Sequence, residues 1–343
     1  MRRGRIGCGY LLSMTSPMSP AGTSPTPLLS LPLLAERLRV SAVLLKAENH
    51  RPLGNFKSLG GSRAARLALE RLDAQREGRS VAPTLLCASD GNHGLSVAAA
   101  AREAGVGARI YLPRHVSADR AARISGMGAA IAWVQGTYDD AVIEARSAAA
   151  GGDGILIADT TDDSDDIVVA DVMAGYAVIA EEIIVQIGEA GLSTPTHLFA
   201  QAGVGGFAAA MAQGLTGAMA MPRKIIVVEP EAAACVAAGL ERRLPVQIEG
   251  SLDTCADMLS CGAACAPALE ILLRHEALAI QVGEAPLRAA CDMLLEAGGP
   301  ATTPSGAAGL AGMIAACNSP GERSRLHMDD QSVVLLFATE GRP

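Results

Sequence analysis

The feature that most narrows the fold is the alternation of short apolar runs with longer alanine-rich stretches. Apolar runs fall at residues 42–47, 84–88, 108–112, 130–134, 155–158, 197–201, 225–229 and 332–338. Between them lie stretches with helix-forming composition at 58–76, 91–104, 118–127, 138–150, 172–189, 207–214 and 232–239, and a shorter one at 31–38 precedes the series. Strands this short and this uniformly apolar, joined by helices, predict parallel sheets covered on both faces. The expected fold class is therefore α/β, built as two doubly wound, mostly parallel-sheet domains. Ligands of such folds sit beyond the carboxyl ends of the strands.

Composition excludes several partners. The 343 residues carry a net charge of −8 without a basic block, which argues against nucleic acid and anionic membranes. Hydrophobic residues make up 50%, but no run reaches the length of a membrane span. Aromatic residues are only 3%, too few for a stacking platform. Cys261 and Cys265 are close in sequence, yet no histidine beside them completes a zinc pattern, so no metal is expected. The eight cysteines show no CxxC pair, and reduced thiols in a cytoplasmic protein are the default. Residues 1–23, rich in Ser, Thr, Pro and Met, read as a disordered extension.

The chain has three lysines, Lys46, Lys57 and Lys224. Arginine cannot form an imine, so amine chemistry on a carbonyl cofactor would need one of these three. Lys46 closes the run Val43-Leu44-Leu45 and reads as a strand residue, and Lys224 reads as a solvated strand start. Lys57 follows Pro52-Leu53-Gly54-Asn55-Phe56 at the mouth of a helix. Desolvation and the positive helix N-terminus would there lower its pKa towards a usable nucleophile. A surface lysine after a turn is the competing reading.

Five loops carry further chemistry, one of them Thr303-Pro304-Ser305-Gly306-Ala307-Ala308-Gly309, a small-residue turn into a helix. Ser89-Asp90-Gly91-Asn92-His93-Gly94 follows a strand and opens a helix, with small residues that admit a ligand and free N–H groups that attract an anion. Asp90 is a candidate base and Asn92 a donor to a phenolate-like oxygen; Asp90 alone reads more readily as a helix cap, the whole six-residue string does not. Gln201-Ala202-Gly203-Val204-Gly205-Gly206-Phe207 is an anion cradle in the same setting. It also fits the dinucleotide fingerprint, with Glu229 ending the next strand where a ribose-binding acid is expected. Asp159 ends the run at 155–158, on the same sheet edge as Asp90. Thr339 sets a hydroxyl just beyond the last strand.

In order, Gly-Asn-Phe-Lys57, Asp90-Gly91-Asn92-His93-Gly94, Gly203-Val204-Gly205-Gly206, Val227-Val228-Glu229-Pro230-Glu231, Ser305-Gly306-Ala307-Ala308-Gly309-Leu310 and Ala338-Thr339-Glu340-Gly341 resemble the fold-type II pyridoxal-phosphate enzymes, the tryptophan synthase β family. The resemblance spans about residues 26–341. Asp90 before the Gly-Asn-His-Gly string, Asp159-Thr160 and Tyr138-Asp139-Asp140 are most similar to the diaminopropionate ammonia-lyases. The resemblance implies pyridoxal phosphate as cofactor, with Lys57 as its Schiff-base lysine and Asn92 at O3′. It puts Gly203, Val204, Gly205 and Gly206 around the phosphate and Thr339 near the pyridine nitrogen, with Asp90 and Asp159 as acid/base carboxylates. The implied reaction is loss of the β-amino group of diaminopropionate to give pyruvate and ammonia. A serine/threonine dehydratase or a non-catalytic nucleotide-binding protein are the alternatives. A large cofactor domain at 24–56 plus 160–343, a small mobile domain at 57–159, a small amino-acid substrate and a homodimer are expected with it. Three positions depart from the pattern. Gly262-Ala263-Ala264 replaces Gly-Glu-Pro, Pro304 stands where an acid is usual, and no aromatic follows Asp159-Thr160.

Overall fold

A computed structural model describes residues 24–75 and 82–342; the extension 1–23 and Arg76 lie outside the described residues. The chain begins with β1 (Leu28–Ser30), α1 (Pro32–Leu38) and β2 (Ala42–Ala47). It continues through α2 (Lys57–Gln75), β3 (Thr84–Ala88), α3 (Asn92–Ala104), β4 (Gly107–Pro113), α4 (Ala118–Ser125), β5 (Ala130–Val134), α5 (Tyr138–Ala150) and β6 (Ile155–Leu156). After α6 (Ile167–Ala190) come β7 (His197–Gln201), α7 (Gly206–Leu215), β8 (Lys224–Pro230), α8 (Cys235–Arg242), α9 (Ala266–Arg274) and β9 (Leu278–Val282). The last elements are α10 (Glu284–Glu296), α11 (Pro304–Asn318), α12 (Pro320–Arg325) and β10 (Val333–Ala338).

These strands form two sheets. The larger has the order β1-β2-β10-β7-β8-β9 and the smaller β5-β4-β3-β6. All pairings are parallel except β1 with β2. Alternate residues of the large sheet feed two cores. Leu44, Leu198, Val227 and Leu335 face one core with Ile179 and Met211. Val43, Phe199, Val228 and Leu336 face the other with Leu34, Leu287 and Leu310. Burial on both faces is why these strands are apolar at nearly every position. The smaller sheet shares the first core.

β1 and β9 were not among the expected strands. β1 is too short to show a period, and β9 lies at a sheet edge with Gln281 exposed. The strand expected at 155–158 is shorter, although Ile157 N–H still donates to the Leu86 carbonyl at 2.8 Å.

Glycines fix the packing of the lysine helix. A Cβ on Gly60 would lie 2.5 Å from Tyr176 Cε1, and one on Gly175 would lie 2.7 Å from Gly60 Cα. Only glycine at both positions lets α2 and α6 approach this closely, and that approach seats Lys57 over the large sheet.

Candidate active site

Lys57 opens α2. The backbone before it turns through positive φ at Leu53 (66°) and Gly54 (76°), and the Asn55 side chain then accepts from Lys57 N–H at 3.1 Å. Phe56 packs against Tyr176 and Phe207, with ring centroids 4.9 and 4.6 Å away. The other lysines are committed elsewhere. Lys46 is fully buried and donates to the Thr26 carbonyl at 2.7 Å and to Gln186 at 2.8 Å, and it pairs with Glu182 at 2.7 Å. Lys224 stands at the amino end of β8, the edge opposite the ligand-binding loops.

Lys57 projects into a cleft enclosing about 780 Å³, open solvent included. The loops after β3, β7 and β10 line it with Asp90 and Asn92, with Gly203 to Gly206, and with Thr339. Asp159, three residues beyond β6, lines it as well. Lys57, Asp90, Asn92, Asp159, Gly203 to Gly206 and Thr339 therefore border one cleft, and Glu229, Lys46 and Lys224 do not.

The electrostatics differ from the sequence expectation for Lys57. Burial does work against its ammonium, but the Asp159 carboxylate outweighs it and holds the pKa above that of an ordinary lysine. Asp159 is the mirror image. Burial pushes its pKa up, yet the charges of His93 and Lys57 and the bonds from Lys57 and Tyr138 hold it well below the carboxylate range. Tyr138 Oη donates to its second oxygen at 2.7 Å.

Asp90 has no such partner. Its Oδ1 is buried without a hydrogen bond, and His115 Nε2 is 3.8 Å away. Burial pushes its pKa up to about 8, against the pull of Lys57, so the carboxyl is mostly protonated at neutral pH. Asp90 is also not a helix cap. Ser89 Oγ does that work, accepting from Gly91 N–H at 2.9 Å and Gly94 N–H at 2.8 Å.

The loop Gly203 to Gly206 delivers α7 with an uncapped N-terminus. Gly205 has φ of 96°, a conformation that favours glycine, and a Cβ on Gly203 would lie 3.0 Å from Cys261 Sγ. Glu229 is not a ribose-binding acid here. It turns back to accept from Val236 and Ala237 N–H, both at 2.7 Å, and so caps α8. That geometry removes the second half of the dinucleotide fingerprint.

Sequence reasoning gave no role in the cleft to Glu340, Tyr138, Gln201 or Ser305, although each stands in a motif it quoted, and it missed Tyr176 altogether; all five line the cleft wall. Glu340 is buried and accepts from Asn92 Nδ2 with one oxygen and from Thr303 Oγ1 with the other. Burial raises its pKa despite these bonds. Its signal was present in the Ala-Thr-Glu-Gly string after the last strand, where only the threonine was weighed.

Comparison with known proteins agrees with this geometry. The family model described as "Pyridoxal-phosphate dependent enzyme" matches residues 20–338. Diaminopropionate ammonia-lyase of Escherichia coli K12 is 32% identical, over 94% of this chain and 85% of the relative. A biosynthetic L-threonine dehydratase of Haemophilus influenzae is 28% identical over 65% of this chain. Among solved structures, Escherichia coli diaminopropionate ammonia-lyase with an aminoacrylate-PLP azomethine reaction intermediate superposes with a TM-score of 0.82. It is 31% identical, with 94% of this chain and 86% of that chain covered.

The residues present fit pyridoxal phosphate. The uncapped N–H groups and side-chain-free cradle at Gly203 to Gly206 suit a phosphate. Lys57 supplies the amine, and a wall carrying Asn92 and Thr339 offers polar groups to a ring. The sheet order, the cleft and the match over residues 20–338 together establish that the chain belongs to the pyridoxal-phosphate dependent enzyme family, with fold type II architecture and an ammonia-lyase's chemistry.

Proposed function

We propose that this chain is a diaminopropionate ammonia-lyase, releasing pyruvate and ammonia. The observation that carries the reading is the pair of buried aspartates sharing a cleft with one lysine, only one of which is paired with it. The ionised Asp159 favours a substrate with an ammonium at both carbons over the neutral hydroxyl of serine or threonine, and such a cation would draw Asp90 towards its charged form as well.

Bound pyridoxal phosphate supplies a carbonyl for the lysine and a ring that withdraws electrons from the substrate's α-carbon. Lys57 would hold it, with Asn92 near O3′, Gly203, Val204, Gly205 and Gly206 around the phosphate, and Thr339 near the ring nitrogen. Asp159 starts ionised and suits removal of the Cα proton. Asp90 starts protonated, and the substrate's β-ammonium already carries the proton with which it leaves as ammonia, so elimination takes no proton from Asp90. A cationic substrate beside Asp90 would lower its pKa and let it take a proton from the opposite hand of Cα. Residues 57–159 act as the smaller, mobile domain over this cleft, and the enzyme works as a cytoplasmic homodimer.

The test is pyruvate release from D- and L-diaminopropionate, serine and threonine by the cofactor-loaded protein. Turnover of diaminopropionate well above both hydroxy amino acids is expected. A clear preference for threonine would assign the chain to the dehydratases instead.

A further inference from the structure

Glu340 stands just beyond β10, with its backbone held from both sides. It forms a bridge with Asn55 of the lysine turn, and its carbonyl accepts from Thr302 Oγ1 at 2.5 Å. Its side chain is buried on the cleft wall. Thr303 Oγ1 caps α11 by accepting from Gly306 N–H at 3.0 Å, so the hydroxyl's own proton falls on Glu340 Oε1. Glu340 Oε2 is left facing Asn92. Arg120 adds its charge nearby, but its guanidinium is bonded to Asp257 at 2.5 and 3.1 Å.

Asn92 opens α3 and borders the same cleft. Among the described residues its side chain bonds to Glu340 alone. A carboxylate only accepts, so the nitrogen end of the amide must face it; turned over, the amide would set oxygen against oxygen. One Nδ2 proton goes to Glu340 Oε2, and the second remains for a ligand.

We infer that Glu340 is a positioning residue that selects the nitrogen end of the Asn92 amide for the cofactor's O3′. This rests on Asn92 lying near O3′ in the proposed function. A donor at position 340 would reverse the amide. In Glu340→Gln the Thr303 proton still needs an acceptor and takes the glutamine oxygen, so the glutamine nitrogen faces Asn92 and draws the amide oxygen round. Asn92 would then set a lone pair against O3′ in place of a proton.

The experiment measures pyridoxal-phosphate affinity and the position of the bound cofactor's visible absorbance band in Asn92→Ala, Glu340→Gln, Glu340→Met and the double variant Asn92→Ala/Glu340→Gln. Glu340→Gln should weaken binding about 3–10-fold, the worth of one hydrogen bond, and move the band in the same direction as Asn92→Ala. Glu340→Met offers neither donor nor acceptor and should weaken binding less than Glu340→Gln. A role in packing alone would give the opposite order, because glutamine keeps the shape of glutamate and methionine does not. In the Asn92→Ala background, Glu340→Gln should cost no further affinity. Additive losses, a larger loss in Glu340→Met, or a wild-type affinity and band in Glu340→Gln would overturn the inference. If Glu340→Met fails to fold, the isosteric Glu340→Gln and the double variant still decide. Wild-type affinity and an unmoved band in Asn92→Ala would instead overturn the placing of Asn92 near O3′, and the inference with it.

Discussion

Replacing Asp159 by Asn tests the ion pair at the centre of the cleft through folding stability alone. Asparagine keeps the shape and can still accept from Tyr138 Oη, so the variant removes a charge and little else. Orphaning one member of a buried ion pair typically costs about 3–5 kcal/mol. Two features place this case at the lower end. The Lys57 side chain is 23% exposed, and a lysine left alone can shed its proton. A loss of about 3 kcal/mol is expected at neutral pH. The pH dependence has a defined sign. In the wild type, the raised Lys57 pKa contributes stability that is complete below the ordinary lysine value, near ~10.4, and lost only above it. The lowered Asp159 pKa contributes stability present above about pH 4 and lost in stronger acid. Between these limits the pair adds no slope. In the variant only burial acts strongly on Lys57, so the folded chain gives up that proton before the unfolded chain does. Its stability should climb with pH towards ~10, narrowing the gap to wild type. Urea unfolding of the cofactor-free proteins, followed by circular dichroism near neutrality and at about pH 9.5, measures this. A penalty that stays constant or widens with pH would refute the reasoning, because lost packing carries no such dependence.

Lys57→Ala should abolish borohydride-fixable cofactor while Lys224→Ala keeps it; covalent labelling of the Lys57 variant would break the assignment. Lys46→Ala should instead lower the unfolding free energy by about 1–3 kcal/mol, since it removes a fully buried side chain and one of the two cations on Glu182 while Arg51 stays at 2.5 Å, and an unchanged midpoint in urea would contradict that. Gly205→Asp should weaken cofactor binding, because a side chain is strained at φ of 96° and its carboxylate would enter the phosphate cradle; equal affinity in a folded variant would remove the loop from the site. Asp90→Asn should bind cofactor and lose about 10²–10⁴-fold in pyruvate formation, unequally for the two enantiomers of diaminopropionate. The same variant should flatten the fall in stability that the raised Asp90 pKa imposes as pH rises from about 4 to about 8, and a retained slope would place that titration elsewhere.

The sheets were legible because strands buried on both faces must be apolar throughout, and the loops because a ligand edge needs small residues where a strand meets a helix. What stayed hidden was long-range pairing. The local setting of Lys57 offers burial and a helix N-terminus, both of which argue for a lowered pKa. The opposing group, Asp159, arrives from 102 residues away. Asn92 and Glu340 are 248 residues apart and meet only when β10 and α3 are brought to the same cleft. Asp90 looked like a cap because aspartate commonly is one, whereas the neighbouring Ser89 satisfies the two N–H groups. β1 and β9 were missed for want of a period, one through brevity and the other through exposure at an edge.

The opposite protonation of the two aspartates follows from the groups placed beside one of them, His93, the Lys57 ammonium and the Tyr138 hydroxyl. Asp159 holds the Lys57 ammonium and a tyrosine hydroxyl, and so it is ionised; Asp90, equally enclosed, has neither and keeps its proton. Paired groups whose surroundings drive their pKa values apart are a usual basis for acid and base roles. The arrangement also selects a substrate. If Lys57 holds the cofactor as proposed, its ammonium no longer pairs with Asp159, which is then a buried carboxylate without that cation. The occupant that restores balance there is one carrying a positive charge of its own. Diaminopropionate brings a second ammonium, while serine and threonine bring a hydroxyl that leaves the carboxylate uncompensated. On this argument the substrate ammonium takes over the position of the lysine ammonium, and the discrimination against hydroxy amino acids should shrink in Asp159→Asn, through KM more than through kcat. An Asp159→Asn enzyme with residual turnover and undiminished discrimination would locate the selecting charge elsewhere in the cleft.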